Sequence, residues 1–232
     1  LFMLAHGIEV WYPLPARTKV MLASCDHIIA VSRFTKDKIE EVHDFPPQKC
    51  TVLNNCLDPF LPLPSNKLKK ETLLKKYGCS ATDTILMTLT RISSKERYKG
   101  YDKVIEAIGS LNDTSCNIKY LVAGSYDKEE KIFLDDLINS LHLQNKVVLA
   151  GFIQDEELEN HFAISDIYVM PSRKEGFGIV FIEAMYYGLP VIAGNADGSV
   201  DALLNGELGQ LVHPGNTAAI AQSINNIIQN KK

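Results

Sequence analysis

Glu175 and Glu183 stand eight residues apart in the stretch SRKEGFGIVFIEAMYYGLP, residues 172–190, with Gly176 and Gly178 between them. If the intervening turn folds inward, both carboxylates look over one pocket, Glu183 from about one helical turn beyond Ile179. The two glycines relieve crowding where the backbone turns. The first N–H groups of a helix opening near Ile179 suit an anion such as phosphate. Solvated helix-end acids and ordinary turn glycines would have the same spacing, so spacing alone leaves both readings open.

A second group of residues is basic. Arg91 is expected at the carboxyl end of a strand, before the polar loop 93–100, and Lys99 near that loop's end, just before a helix. Two cations at one sheet edge beside helix N-termini make a site for a diphosphate, Arg by bidentate contact and Lys as a mobile point charge. A merely solvated loop would also carry Lys95, Arg97 and Lys99. Gly124-Ser125 ends another strand and either brings backbone to a ligand or is a plain turn. Gly151-Phe152-Ile153 offers an aromatic ring and main-chain groups to a base, unless Phe152 packs in the core. In the run Asn195 to Ser199, Asp197 is a candidate hydroxyl acceptor and Ser199 a candidate helix cap. His6-Gly7 meets the loop edge after an N-terminal strand; the other five histidines have no ligand spacing.

The elements that must position these residues alternate. Strands are expected at 84–90, 118–123, 146–150, 167–170, 190–193 and 209–212, and helices at 101–111, 128–141, 155–164, 179–187, 199–204 and 217–229. Val104, Ile105, Ile108 and Leu111 form one apolar stripe, and Ile220, Ile224, Ile227 and Ile228 another. Such alternation calls for a parallel sheet covered on both faces, with ligands at the carboxyl edge. Before it, strands at 1–5, 26–32 and 50–54 and helices at 16–24 and 33–43 form a smaller unit. Pro59, Pro62 and Pro64 interrupt regular structure at the boundary, about 55–66, and a short charged helix follows at 67–77. The division is therefore 1–60, a linker with its short helix at 61–81, and 82–232.

With 24 basic against 28 acidic residues and no basic block, the chain is a poor nucleic-acid partner, though a local phosphate pocket is allowed. Five cysteines at irregular spacing, with no C-x-x-C pair, suggest a reducing compartment and no structural zinc. No apolar run approaches the length of a spanning helix. The chain opens inside a strand-like run without Met, as a fragment cut within a domain would. Gly176-Phe177-Gly178 is too short for a dinucleotide fingerprint, and no G-x-S-x-G, H-E-x-x-H or Walker pattern occurs.

The run from Arg91 through Lys99-Gly-Tyr-Asp-Lys-Val-Ile-Glu-Ala, then Val122-Ala-Gly124, Gly151-Phe152 and the whole of 172–190, resembles the nucleotide-binding half of a retaining transferase of glycosyltransferase family 4, with the GT-B fold. The resemblance is strong over 82–215. It is weaker over 1–60, through His6-Gly7, the strand ending at Ser32, and Asn55 with Asp58. It departs from the family pattern in having Thr90 where Gly often precedes the arginine. The resemblance implies a complete C-terminal Rossmann-like domain plus the remaining part of an N-terminal, acceptor-side one.

It also implies transfer of a hexose from a UDP- or GDP-sugar to a glycan or lipid-linked acceptor, with retention, as in polysaccharide biosynthesis. Glu175 would lie by the donor sugar and Glu183 by the ribose. Arg91 and Lys99 would hold the diphosphate, and His6 would line the cleft near the transferred sugar. Gly176, Phe177, Gly178 and Ile179 would offer backbone N–H groups. No tightly bound cofactor and no essential metal are expected. The implied location is cytoplasmic, extending to the inner face of the membrane through the absent N-terminal part. Rival readings are a nucleotide-sugar-binding fragment without activity, a GT-B epimerase, and a phosphorylase, for which no cofactor lysine site is evident.

Overall fold

The structure is a computed structural model that describes residues 1–61, 63–64, 69–111 and 116–230. Its first unit holds β1 (Phe2–Ala5), α1 (Ala16–Ala23), β2 (His27–Ala30), α2 (Arg33–His43) and β3 (Cys50–Val52), with the strands parallel in the order β1-β2-β3. Ala5, Ile28 and Ala30 point from the sheet onto Ile39 of α2 and onto Trp11. The Ser32 side chain caps α2 by accepting the Thr35 N–H, and the Trp11 indole N–H donates to the Thr35 hydroxyl at 3.2 Å. The second of these bonds ties the loop after β1 to the helix after β2.

The second unit is larger. It contains α3 (Glu71–Lys76), β4 (Thr84–Leu89), α4 (Tyr101–Ser110), β5 (Ile118–Ala123), α5 (Lys128–Ser140), β6 (Val147–Gly151), α6 (Asp155–Ile164) and β7 (Ile167–Met170). It continues through α7 (Ile179–Tyr186), β8 (Val191–Gly194), α8 (Ser199–Ala202), β9 (Gln210–Val212) and α9 (Thr217–Asn230). All six strands are parallel, in the order β6-β5-β4-β7-β8-β9. The chain winds outward from β4 in one direction and then from β7 in the other, so the order reverses between them, where a crevice opens at the carboxyl ends of an open α/β sheet.

Both faces are covered, as the near-continuous apolar strands require. On one, Val104, Ile105 and Ile108 of α4 and Ile220 and Ile224 of α9 pack on Tyr120, Val122 and Val169. On the other, Phe162, Phe181 and Ala184 pack on Met87, Tyr168 and Met170.

Four expectations change, the first being the strand expected at 50–54, which ends already at Val52. The helix expected at 67–77 is observed as Glu71–Lys76, and residues 67 and 68, with Pro62, Ser65 and Asn66 of the linker, lie outside the described residues. The helix expected at 199–204 stops at Ala202, because Leu204 and Asn205 take positive φ, 45° and 56°, which a right-handed helix cannot continue. The expected strand 26–32 is shorter, because Ser32 is already the cap of α2.

The units meet through specific polar contacts. The Asp201 carboxylate accepts the N–H of Arg33 at 3.1 Å and of Phe34 at 3.3 Å, so a side chain of the second unit holds the first turn of α2. Val31 of the first unit joins the apolar cluster around Phe181. Among the described residues no helix is long and apolar enough to cross a membrane.

Candidate functional site

At the carboxyl ends of β4 and β7 lies a cavity of about 300 Å³, lined by His6 and Asn55 of the first unit and by Thr90, Lys99, Glu175 and residues 176–180 of the second. This is the crevice where the strand order reverses. Seven of the residues singled out above, His6, Lys99, Glu175, Gly176, Phe177, Gly178 and Ile179, converge on it.

Lys99 is delivered by the loop 91–100, which is fastened from below. The Arg97 Nε donates to both oxygens of the fully buried Glu130 carboxylate, at 3.0 and 2.8 Å, and its guanidinium lies 3.7 Å from the centre of the Phe133 ring. The Tyr101 hydroxyl donates to the same carboxylate at 2.9 Å. Arg97 is therefore a structural cation, half of a buried pair, and the solvated-loop reading fails for it. Lys99, two residues on, is left to face the cavity. There its ammonium is bonded to the Glu175 carboxylate, both side chains being about 14% and 13% exposed.

Glu175 sits in the turn after β7. The turn ends at Gly178, whose φ of +87° opens α7 with no side-chain cap. The first N–H groups of α7 therefore remain for a ligand. Phe177 is buried beneath them, and Ile179 is exposed beside them.

The remaining candidates do not line this cavity. Arg91 is bonded to Glu96 at 2.7 Å with its side chain 78% exposed, an arrangement worth little energy and easily exchanged. Glu96 also accepts from the Tyr98 hydroxyl at 3.0 Å; burial and that bond push the phenol up to about 12. Glu183 lies half-buried on α7. Burial, and then the charge of Asp155 at the start of α6, raise its carboxyl above the usual range. Phe152, in the turn after β6, is 65% exposed rather than packed in the core. Gly124 packs against the Thr90 carbonyl, where a Cβ would come within 1.7 Å, so its turn serves the crossing of the β4 and β5 exits.

Asp197 and Ser199 are corrected. Asp197 is fully buried and each of its oxygens accepts a backbone N–H, of Glu175 at 2.6 Å and Ser199 at 3.0 Å, so the side chain serves the backbone from a place that water does not reach. The Ser199 side chain caps nothing; Gly198 stands at the cap position of α8.

Sequence reasoning passed over Tyr12 and Lys174. The Lys174 ammonium stands 5.5 Å from the ring centres of both Tyr12 and Tyr98, bridging the two units. Their separation along the chain hides this, and no periodicity could signal it. A larger cavity, about 500 Å³, lies between Arg33, Asp37 and Asn54 of the first unit and Asn195, Asp197 and Asp201 of the second. Among the described residues no three His, Cys, Asp or Glu side chains gather to hold a metal.

Residues 69–232 match the family profile of the glycosyl transferases group 1. The chain is similar to an uncharacterized glycosyltransferase, MJ1607, of Methanocaldococcus jannaschii, 27% identical over 206 residues, which cover 88% of this chain and 51% of that protein. It is 28% identical over 241 residues to a GDP-mannose-dependent alpha-(1-6)-phosphatidylinositol monomannoside mannosyltransferase of Mycolicibacterium smegmatis, covering 96% of this chain and 59% of that one. The fold is that of Anabaena Alr3699/HepE, solved in complex with UDP and glucose, with a TM-score of 0.81 and 22% identity over 98% of this chain and 62% of that one. The architecture is thus of the GT-B type. The chain spans between half and two thirds of the length of these relatives.

Proposed function

Because the chain belongs to the glycosyl transferases group 1 family, we propose that it carries the donor site of a retaining transferase of glycosyltransferase family 4. In this reading the whole protein moves a hexose from a UDP- or GDP-sugar to a hydroxyl of a glycan or lipid-linked acceptor, on the cytoplasmic side of the membrane. One observation carries the reading: Lys99 and Glu175 meet in a pocket where the strand order reverses, beside the uncapped start of α7 and with His6 of the other unit in its lining.

Without ligand, Lys99 and Glu175 neutralise each other. A donor diphosphate brings more negative charge than one carboxylate and has the N–H groups of α7 to bind as well, so it draws the Lys99 ammonium away. Glu175 is then free to accept from the hydroxyls of the sugar. Arg91, itself exposed, leaves Glu96, which keeps the Tyr98 hydroxyl, and adds a bidentate contact to phosphate. In this reading Glu183 meets the ribose, and Phe152, exposed in the turn after β6, meets the base.

The acceptor hydroxyl attacks the anomeric carbon on the face from which the nucleotide leaves, through an oxocarbenium-like state. The departing phosphate takes the acceptor's proton, and Lys99 and Arg91 balance the charge that grows on it. This is the task a divalent metal performs in other transferases, so no essential metal is expected. The likeness to a protein solved with UDP and glucose and to a GDP-mannose-dependent relative supports a nucleotide sugar as ligand and leaves both bases in play.

Calorimetry of the chain with UDP, GDP, UDP-glucose and GDP-mannose tests the reading. One base is expected to bind. Lys99→Ala should weaken the diphosphate by about ten- to hundredfold, the value of roughly 1.5–3 kcal/mol for a charged hydrogen bond. Binding by none of the four, or near-normal turnover of the full-length protein carrying Lys99→Ala, would overturn it.

A further inference from the structure

Glu175 can grip a sugar only if its backbone is held still, and the structure shows what holds it. The Glu175 N–H donates to Asp197 Oδ2 at 2.6 Å, and the Glu175 carbonyl accepts the Gly198 N–H at 2.8 Å. Asp197 Oδ1 accepts the Ser199 N–H at 3.0 Å, so one carboxylate ties the turn after β7 to the turn after β8.

Packing reinforces the tie. A Cβ on Gly198 would come within 2.0 Å of the Gly176 carbonyl oxygen, and one on Gly176 within 1.7 Å of the His6 carbonyl oxygen. Three layers of backbone are stacked in contact: Gly198, then Gly176, then His6 of the other unit. The Asp197 side chain itself is wholly buried and does not line the cavity that Lys99 and Glu175 share. A buried carboxylate is costly unless both its oxygens are bonded, and here both are spent on the backbone of these two turns. No neutral side chain of this size accepts from two N–H groups in this way: an asparagine would set its own amide hydrogens against one of them.

We propose that Asp197 is the positioning residue of the donor site: it touches no ligand, and it aims Glu175 at the sugar by fixing the Glu175 backbone. The inference rests on the transferase reading for what Glu175 does, and on geometry alone for what Asp197 does. The nucleotide is held by other groups of the same pocket, Lys99 and the start of α7, together with Arg91. Losing Asp197 should therefore separate recognition of the sugar from recognition of the diphosphate, which a general loss of stability would not do.

Two measurements on the chain test this, with Asp197→Asn and, as an independent route to the same turn, Gly198→Ala. In calorimetry with the nucleotide base that the unaltered chain binds, both variants should raise the ratio of the Kd for the sugar nucleotide to that for the free diphosphate at least fivefold. The diphosphate Kd itself should move by less than twofold. In amide hydrogen exchange of the ligand-free chain, Asp197→Asn should speed exchange at Glu175 at least tenfold while leaving Lys174, whose N–H is held by the Ser172 hydroxyl at 3.1 Å, unchanged. Equal weakening of both ligands, or of neither, would overturn the proposal, and so would an unchanged Glu175 amide. If the unaltered chain binds no nucleotide, the transferase reading falls, and the exchange rates still decide whether Asp197 holds Glu175.

Discussion

Asp197 is a carboxylate pulled in opposite directions, and burial wins: it raises the group to about 6 against an ordinary 3.8, although the N–H groups of Ser199 and Glu175 favour the charged form. Between about pH 4 and 6 the folded chain therefore keeps a proton that the unfolded chain releases. Stability from this group falls as pH rises through that window and is lowest above it. Urea unfolding at pH 4.5 and pH 7 should show the unaltered chain losing on the order of 2 kcal/mol relative to Asp197→Asn as pH rises. The raised Glu183 has the same sign and is common to both proteins, so it cancels. From the sequence, an aspartate before Gly-Ser at a helix start reads as a surface acceptor. What turns it inward is the pairing of β7 with β8, which brings Glu175 over it. Lys99 and Glu175 were legible as a cation and an acid at loop edges, but their bond to each other was not.

Among the elements, the loop 91–100 depends most on an anchor outside itself. Arg97 closes over a carboxylate that has no exposure at all, so Arg97→Met, which keeps much of the stem's packing on Phe133, leaves Glu130 with only the Tyr101 hydroxyl of these two partners. Breaking a buried pair in this way should cost about 3 kcal/mol in urea unfolding, the low end of the usual range because Arg97 is 37% exposed. The diphosphate should bind more weakly as well, because Lys99 rides on the loosened loop. Apart from α3, the sequence located the elements of this unit to within a residue or two, and 118–123, 155–164 and 167–170 agree end to end. Apolar runs between clear stops leave little choice there. It misplaced the end of α8, because the positive φ of Leu204 and Asn205 comes from packing around β9 and not from a breaker residue at Ala202. Arg97 looked like its neighbours Lys95 and Lys99, since a charge in a loop carries no mark of the helix it will land on.

For the molecule as a whole, the contact between the two units is as consequential as either unit. His6 reaches the donor pocket only because Gly176 lets the two backbones touch, and Asp201 holds the first turn of α2 from across the boundary. Asp201→Ala should cost about 1 kcal/mol, as loss of a helix cap does, and should speed amide exchange at Arg33 and Phe34 while sparing Thr35, which Ser32 still caps. Unchanged exchange at Arg33 and Phe34 would mean that the units are joined by other contacts. The sequence by itself determined the alternation of strands and helices, the sheet covered on both faces, and the loops that carry acids and cations, because each depends on local periodicity and local turn chemistry. Only the tertiary structure decided that β4 and β7 lie side by side, that Lys99 meets Glu175 while Arg97 pairs with the buried Glu130, and that Asp197 serves the backbone. Those depend on which strands pair and which side chains lose water when they do, and both are set by contacts between residues far apart along the chain.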